Sequence, residues 1–165
     1  GWVHRCVTHK SLWHRLHGLI LSRDVAEHLS LKPDEVTELM HKSGNWFVEN
    51  GFEQPSLYVP PAWAIGKISK RAMLDCGYSQ VETLSGVVFL KSGQTKRLPL
   101  VGFEADTFRR ELVLRVFNGV ALMMPTTKPL RVSIHPSDHK LRLGKNLQKV
   151  LQRCTEALSY SEILL

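Results

Sequence analysis

The sequence predicts an α/β domain, layered or barrel-like, on three observations. Helix-like and strand-like segments follow in the order helix, strand, helix, short strands, helix, strand, helix, the pattern of strands covered by helices. Two strands run directly into proline-bearing turns, "YVPPAW" and "RVSIHPSD", and barrels and open α/β sheets carry their chemistry at such strand ends. At 165 residues the chain is long enough for one domain with a substantial core, so residues 1–165 are read as a single domain.

The first element is "SLWHRLHGLILS", which places Leu12, Leu16, Leu19 and Ile20 at helical spacing, interrupted by Gly18. The strongest helix in the first third starts at "KPDE". Ser30 or Lys32 stands before Pro33, a favoured first-turn residue, and Asp34 and Glu35 suit the positive end of a helix. Val36, Leu39, Met40 and Phe47 share one face, and Asn50-Gly51 supplies the stop. A short strand in "SLYVPPAW" is broken by Pro60-Pro61. A short helix follows over Ile68, Ala72 and Met73, ended by Gly77.

"SQVETL", "GVVFLKSG" and "TKRLPLVGF" are β-rich runs separated by Gly and Ser. "DTFRRELVLRVFNGVALMM" is helical again, with Phe108, Leu112, Val113, Val116, Phe117 and Val120 on one face. Leu130, Val132 and Ile134 then alternate with Arg131 and Ser133, the period of a strand with one face in a core. Pro136 cannot donate a ladder hydrogen bond and ends that strand, which leaves His135 at its mouth. Leu147, Val150, Leu151, Cys154 and Leu158 mark a last helix before the closing "LSYSEIL".

Composition narrows the partners. No apolar run approaches the roughly 20 residues needed to span a bilayer, so no membrane partner is expected. Cys6, Cys76 and Cys154 are dispersed and odd in number, which argues against a zinc ribbon or a disulfide framework and suggests a reducing, cytoplasmic setting. The net charge of +7 admits an anionic partner. The basic residues are scattered in twos and threes, however, without a nucleic-acid-binding signature, so a solvated basic surface is the preferred reading over nucleic acid.

Together, "YVPPAW", "RVSIHPSD" and the closing "LSYSEIL" resemble the polysaccharide-deacetylase superfamily, in particular its NodB-like branch of predicted deacetylases. The resemblance implies an irregular (β/α) barrel that binds a divalent metal, usually zinc, and removes an acetyl group from an N-acetylated sugar or related substrate. It makes the opening "GWVH" the remainder of a metal-binding motif, with His4 as a ligand. The other ligands, the catalytic base and the N-terminal strands are then expected upstream, so the chain reads as the C-terminal portion of such a barrel. A missing N-terminal segment or a homo-oligomer contact is expected to complete it.

By the same resemblance His135 is the general acid that protonates the departing amine, a role suited to a side chain that titrates near neutrality. Asp138 could orient it, although this residue has no close counterpart in the wider family. The turn at Pro61, Ala62 and Trp63 matches the segment that holds the oxyanion, through the Ala62 N–H, with Trp63 walling the acetyl pocket. Two departures stand out: Val59 replaces an arginine common before the proline pair, and either Glu104 or Asp106 could support the histidine. The rival reading is a non-catalytic carbohydrate-binding or interaction domain.

The remaining histidines and tryptophans have plainer expectations. His9, His14 and His17 line the rim or face solvent, His28 and His41 are surface helix residues, and His139 is a loop neighbour of His135. Trp46 is expected to pack on its helix, and Trp2, Trp13 and Trp63 to lie near the rim.

Overall fold

A computed structural model describes residues 27–123 and 129–164. The helix expected over 11–22, together with His4, His9, His14, His17, Trp2 and Trp13, lies outside them. The chain divides between Lys96 and Arg97 into two compact units.

In the first unit a 3-10 turn, Glu27–Ser30, leads into helix α1, Pro33–Glu49. Pro33 occupies its first turn, and the Glu35 carboxylate reaches back to accept the Lys32 N–H at 2.8 Å. That bond satisfies a main-chain donor at the helix entrance. The exit is Asn50, followed by Gly51 with a φ of +80°, the left-handed residue that commonly ends a helix. Strand β1, Leu57–Tyr58, is cut short by the proline pair, and a 3-10 turn follows at Pro61–Trp63. Helix α2, Lys70–Asp75, is capped by the Ser69 hydroxyl, which accepts the Ala72 N–H at 3.1 Å.

Three strands complete the first sheet: β2, Gln80–Thr83; β3, Gly86–Phe89; and β4, Thr95–Arg97. Their order is β1-β2-β3-β4. β1 runs parallel to β2, pairing Leu57 with Gln80 and Tyr58 with Val81. β2 and β3 form an antiparallel hairpin from Gln80↔Phe89 to Thr83↔Gly86. The core beneath the sheet joins Val36 and Met40 of α1 to Tyr58, Met73, Tyr78, Val81 and Leu90. Val36 and Met40 thus occupy the expected buried stripe, but Phe47 and Trp46 do not. Both are exposed, and with Phe52 they form a surface cluster in which Trp46 and Phe47 meet edge to face at 5.2 Å between centroids.

The second unit is built on a parallel pair, β5, Leu100–Gly102, and β6, Arg131–Ser133, with helix α3, Phe108–Leu122, between them in sequence. A 3-10 turn at Asp138–Lys140 and helix α4, Gly144–Leu151, complete its main elements. Val101, Phe103, Ala105, Leu114, Ala121, Leu143 and Leu147 form its core.

α3 departs from its expected orientation. Leu114, Asn118 and Ala121 are the buried residues of the helix; of the expected stripe, Val113 and Phe117 are half-buried and Phe108, Leu112, Val116 and Val120 are exposed. Val116 is 63% exposed and Val120 58%. Asn118 gives the physical reason: its side-chain oxygen accepts the Gly102 N–H at 3.0 Å, and its amide donates to the Gly102 carbonyl at 2.8 Å. Two hydrogen bonds to the backbone of β5 fix the roll of the helix, and the more apolar side is left outward.

β6 departs from alternation only in part. Leu130 and Val132 pack against the core as expected, but Arg131 is also buried and donates from its guanidinium to the Leu98 carbonyl at 3.0 Å, whereas Ile134 is 54% exposed. A long side chain that can reach a carbonyl is thus buried at a position that alternation assigned to the outer face. The last helix is also shorter than expected. It ends at Leu151, and Cys154 and Leu158 are exposed beyond it. Among the described residues, no helix is long and apolar enough to cross a membrane.

Candidate functional site

Both parallel pairs place a sequence-predicted motif at their C-terminal ends. In the second unit β6 stops at Ser133, and the chain turns through His135 to Asp138. The turn is closed from both sides: the Asp138 N–H donates to the His135 carbonyl at 3.0 Å, and the His135 N–H donates to Asp138 Oδ2 at 2.9 Å. That same Oδ2 lies 3.6 Å from His135 Nδ1. The Asp138 side chain is wholly buried, while 51% of the His135 side chain remains exposed. One carboxylate oxygen therefore holds the turn and faces the imidazole, and the ring keeps access to solvent.

Asp138 Oδ1 is buried without a hydrogen-bond partner among the described residues. A buried carboxylate with a spare oxygen gains from a nearby positive charge, because isolated charge is costly away from water. The His135 imidazole faces this carboxylate. Close packing behind the turn limits its movement. A Cβ at Gly144 would sit 2.5 Å from the His139 carbonyl oxygen, so the first residue of α4 must be glycine for the turn to lie this close.

Glu104 and Asp106 follow β5. Arg110 engages both, at 3.6 Å from Glu104 and 3.5 Å from Asp106, and also donates to the Glu104 carbonyl at 3.2 Å. The carboxylate facing His135 is that of Asp138. His139 is exposed beside it.

In the first unit the turn after β1 is strained. Ala62 and Trp63 both adopt left-handed backbone, with φ of 50° and 57°. For residues with side chains this costs roughly 1–3 kcal/mol each. The Trp63 N–H donates to the Pro60 carbonyl at 2.9 Å and the Ala64 N–H to the Pro61 carbonyl at 3.1 Å. The Ala62 N–H donates to no acceptor among the described residues. The Trp63 indole is held by Glu82, at the end of β2, which accepts its N–H at 3.1 Å. The register of the parallel pair sets this contact, because Tyr58 opposite Val81 brings the residues after Tyr58 level with Glu82.

Sequence reasoning missed Glu82. A buried acidic residue in the short, mostly polar strand Gln80–Thr83 offered little signal, because it had no visible partner in the linear chain.

It also misplaced His28, which is buried, not on the surface. His28 Nε2 lies 2.6 Å from the Tyr58 hydroxyl, and Nδ1 is buried with no hydrogen-bond partner among the described residues. Burial holds the His28 imidazole below its ordinary pKa. Burial, with the neighbouring Tyr78 and Cys76, pushes the Tyr58 phenol strongly upward. Both groups are thus neutral near pH 7, and the pair is a packed polar contact inside the first unit.

The described residues contain no group of three or more His, Cys, Asp or Glu side chains able to hold a metal ion. The residues described therefore do not by themselves build the expected zinc site, and His4 lies outside them. No known protein family, curated protein or solved structure matches the chain.

Proposed function

We propose that the protein is a hydrolase of acyl or amide bonds in which His135 transfers a proton and Asp138 positions it. The observation that carries this reading is the His135–Asp138 pair. A half-exposed imidazole at a strand end is fixed by a wholly buried carboxylate that also binds its own backbone N–H. With Nδ1 toward Asp138, Nε2 faces away to give or take the proton. The carboxylate stabilises the imidazolium that forms, as orienting carboxylates do in acid–base catalysis.

The substrate class follows from the resemblance of "YVPPAW" and "RVSIHPSD" to polysaccharide deacetylases: an N-acetylated sugar, with zinc as the expected cofactor and an irregular (β/α) barrel as the expected fold. The unspent Ala62 N–H is a donor of the kind an oxyanion requires, held in a strained turn that packing must maintain. The alternative, a non-catalytic carbohydrate-binding or interaction domain, draws support from the exposed cluster of Trp46, Phe47 and Phe52, since aromatic rings at a surface favour stacking ligands.

Acetate release from N-acetylglucosamine oligomers, with zinc supplied, tests the reading. His135→Ala lowers turnover by roughly 10²-fold or more, and Asp138→Asn lowers it less while distorting the pH profile. Equal turnover by His135→Ala and the unmodified protein overturns the assignment. So does a complete lack of acetate release by a protein that also carries the upstream ligands and base that the resemblance implies.

A further inference from the structure

The outward side of α3 is a continuous apolar ridge. Phe108, Leu112, Val116 and Val120 recur every fourth residue, and Met123 extends the row past the helix end, each more than half exposed. We infer that this ridge is a self-association surface on which two copies of the chain pair through antiparallel α3 helices.

Size supports the choice of occupant. The five exposed side chains present about 500 Å² of apolar surface per copy, judged from ordinary side-chain areas. Burying two such ridges removes about 1,000 Å², the lower bound for a specific interface. An exposed apolar patch of this extent usually marks an interaction site on a folded protein. A row at four-residue spacing also forms the kind of ridge that packs between neighbouring helices.

Charge supports a second copy in particular. Arg109 lies at the start of α3 on the ridge side and is exposed. The last turn of α3 contains no basic residue of its own, so its carbonyl ends suit a cation brought from outside the helix. Antiparallel pairing brings Arg109 of each copy to the C-terminal turn of the other. The acidic residue of the first turn, Glu111, is already engaged by Arg115 at 2.9 Å and Arg142 at 2.6 Å. A two-fold axis thus satisfies both helix ends with residues the chain already has, and such isologous pairs are the commonest oligomers.

Sedimentation velocity from about 1 to 100 µM tests the inference, a range that spans the micromolar affinity a small interface supports. The unmodified chain should pass from 18.8 kDa to twice that mass and stop there. Val116→Arg and Leu112→Arg should each raise the dissociation constant about tenfold or more, with the circular dichroism spectrum unchanged. Val48→Arg replaces an exposed apolar residue on α1 and should leave association as it was. A monomer throughout the range overturns the inference, as does growth beyond two copies. A dimer that tolerates both ridge substitutions, or dissociates equally with Val48→Arg, also overturns it.

Discussion

α1 and α3 are both long helices with an apolar stripe that periodicity reveals, and the structure treats them oppositely. α1 turns Val36 and Met40 inward, where the stripe predicts. α3 turns Leu114, Asn118 and Ala121 inward and leaves Phe108, Leu112, Val116 and Val120 outside. The difference lies in what each helix meets. α1 meets mainly side chains: Tyr58, Met73 and Tyr78 pack against it. The one side-chain oxygen among them that bonds the helix, the Tyr78 hydroxyl, donates to the Met40 carbonyl at 3.3 Å without turning the apolar stripe away. α3 meets a backbone edge, where Gly102 has an N–H and a C=O to satisfy and no side chain of its own. An amide that answers both groups outweighs a larger hydrophobic area when the alternative is two buried unsatisfied groups.

The largest expected effect separates the two stripes directly. Met40→Ala removes a fully buried side chain and should cost about 2–5 kcal/mol in chemical unfolding. Val116→Ala on the α3 stripe should stay within about 0.5 kcal/mol when measured on the dilute chain. Similar losses at the two sites would break the comparison.

A smaller effect sharpens it. Asn118→Ala strips both bonds from Gly102 and should cost about 1–3 kcal/mol. It also frees α3 to roll its ridge inward, so solvent-exposed apolar surface, read by dye binding, should fall. Unchanged stability with Asn118→Ala would show that the amide does not set the roll.

The smallest effect appears with pH, in the first unit. Burial lowers the His28 pKa from 6.5, so below that value the unfolded chain holds more protons than the folded one. Stability should decline as pH falls through 6.5 and keep declining until the folded-state pKa is passed. The unfolding midpoint at about pH 5.5 should lie below that at about pH 7.5, and His28→Asn should remove part of the difference. A midpoint that rises on acidification over this window would contradict the buried, neutral imidazole.

Features written in local chemistry were legible in the sequence. Pro33, Asp34 and Glu35 announced α1 and Gly77 closed α2; β6 ends earlier than Pro136 requires, at Ser133. Features that depend on a distant partner were not. The roll of α3 and the burial of Arg131 depend on Asn118 reaching Gly102 and Arg131 reaching Leu98, contacts that hydrophobic period does not encode. For the candidate site, the residues themselves were named in advance, and Asp138 was given an orienting role. The shared oxygen between its backbone and imidazole contacts, its complete burial, and the Glu82 anchor on Trp63 emerge only when strands are set in register.

The strand pairings also imply an order of assembly. β2 and β3 join through Leu84 and Ser85 alone, from Thr83↔Gly86 outward, so their loop closes at small entropic cost and on a fast timescale. The parallel pairs must instead wait for Leu57 to find Gln80 and Leu100 to find Arg131 across an intervening helix. Contacts so far apart in sequence form late. The first unit has a local hairpin as a template for β1, whereas the sheet of the second consists of a non-local pair. Its β5–β6 mouth, with the His135 turn, should therefore be among the last parts of the chain to take shape.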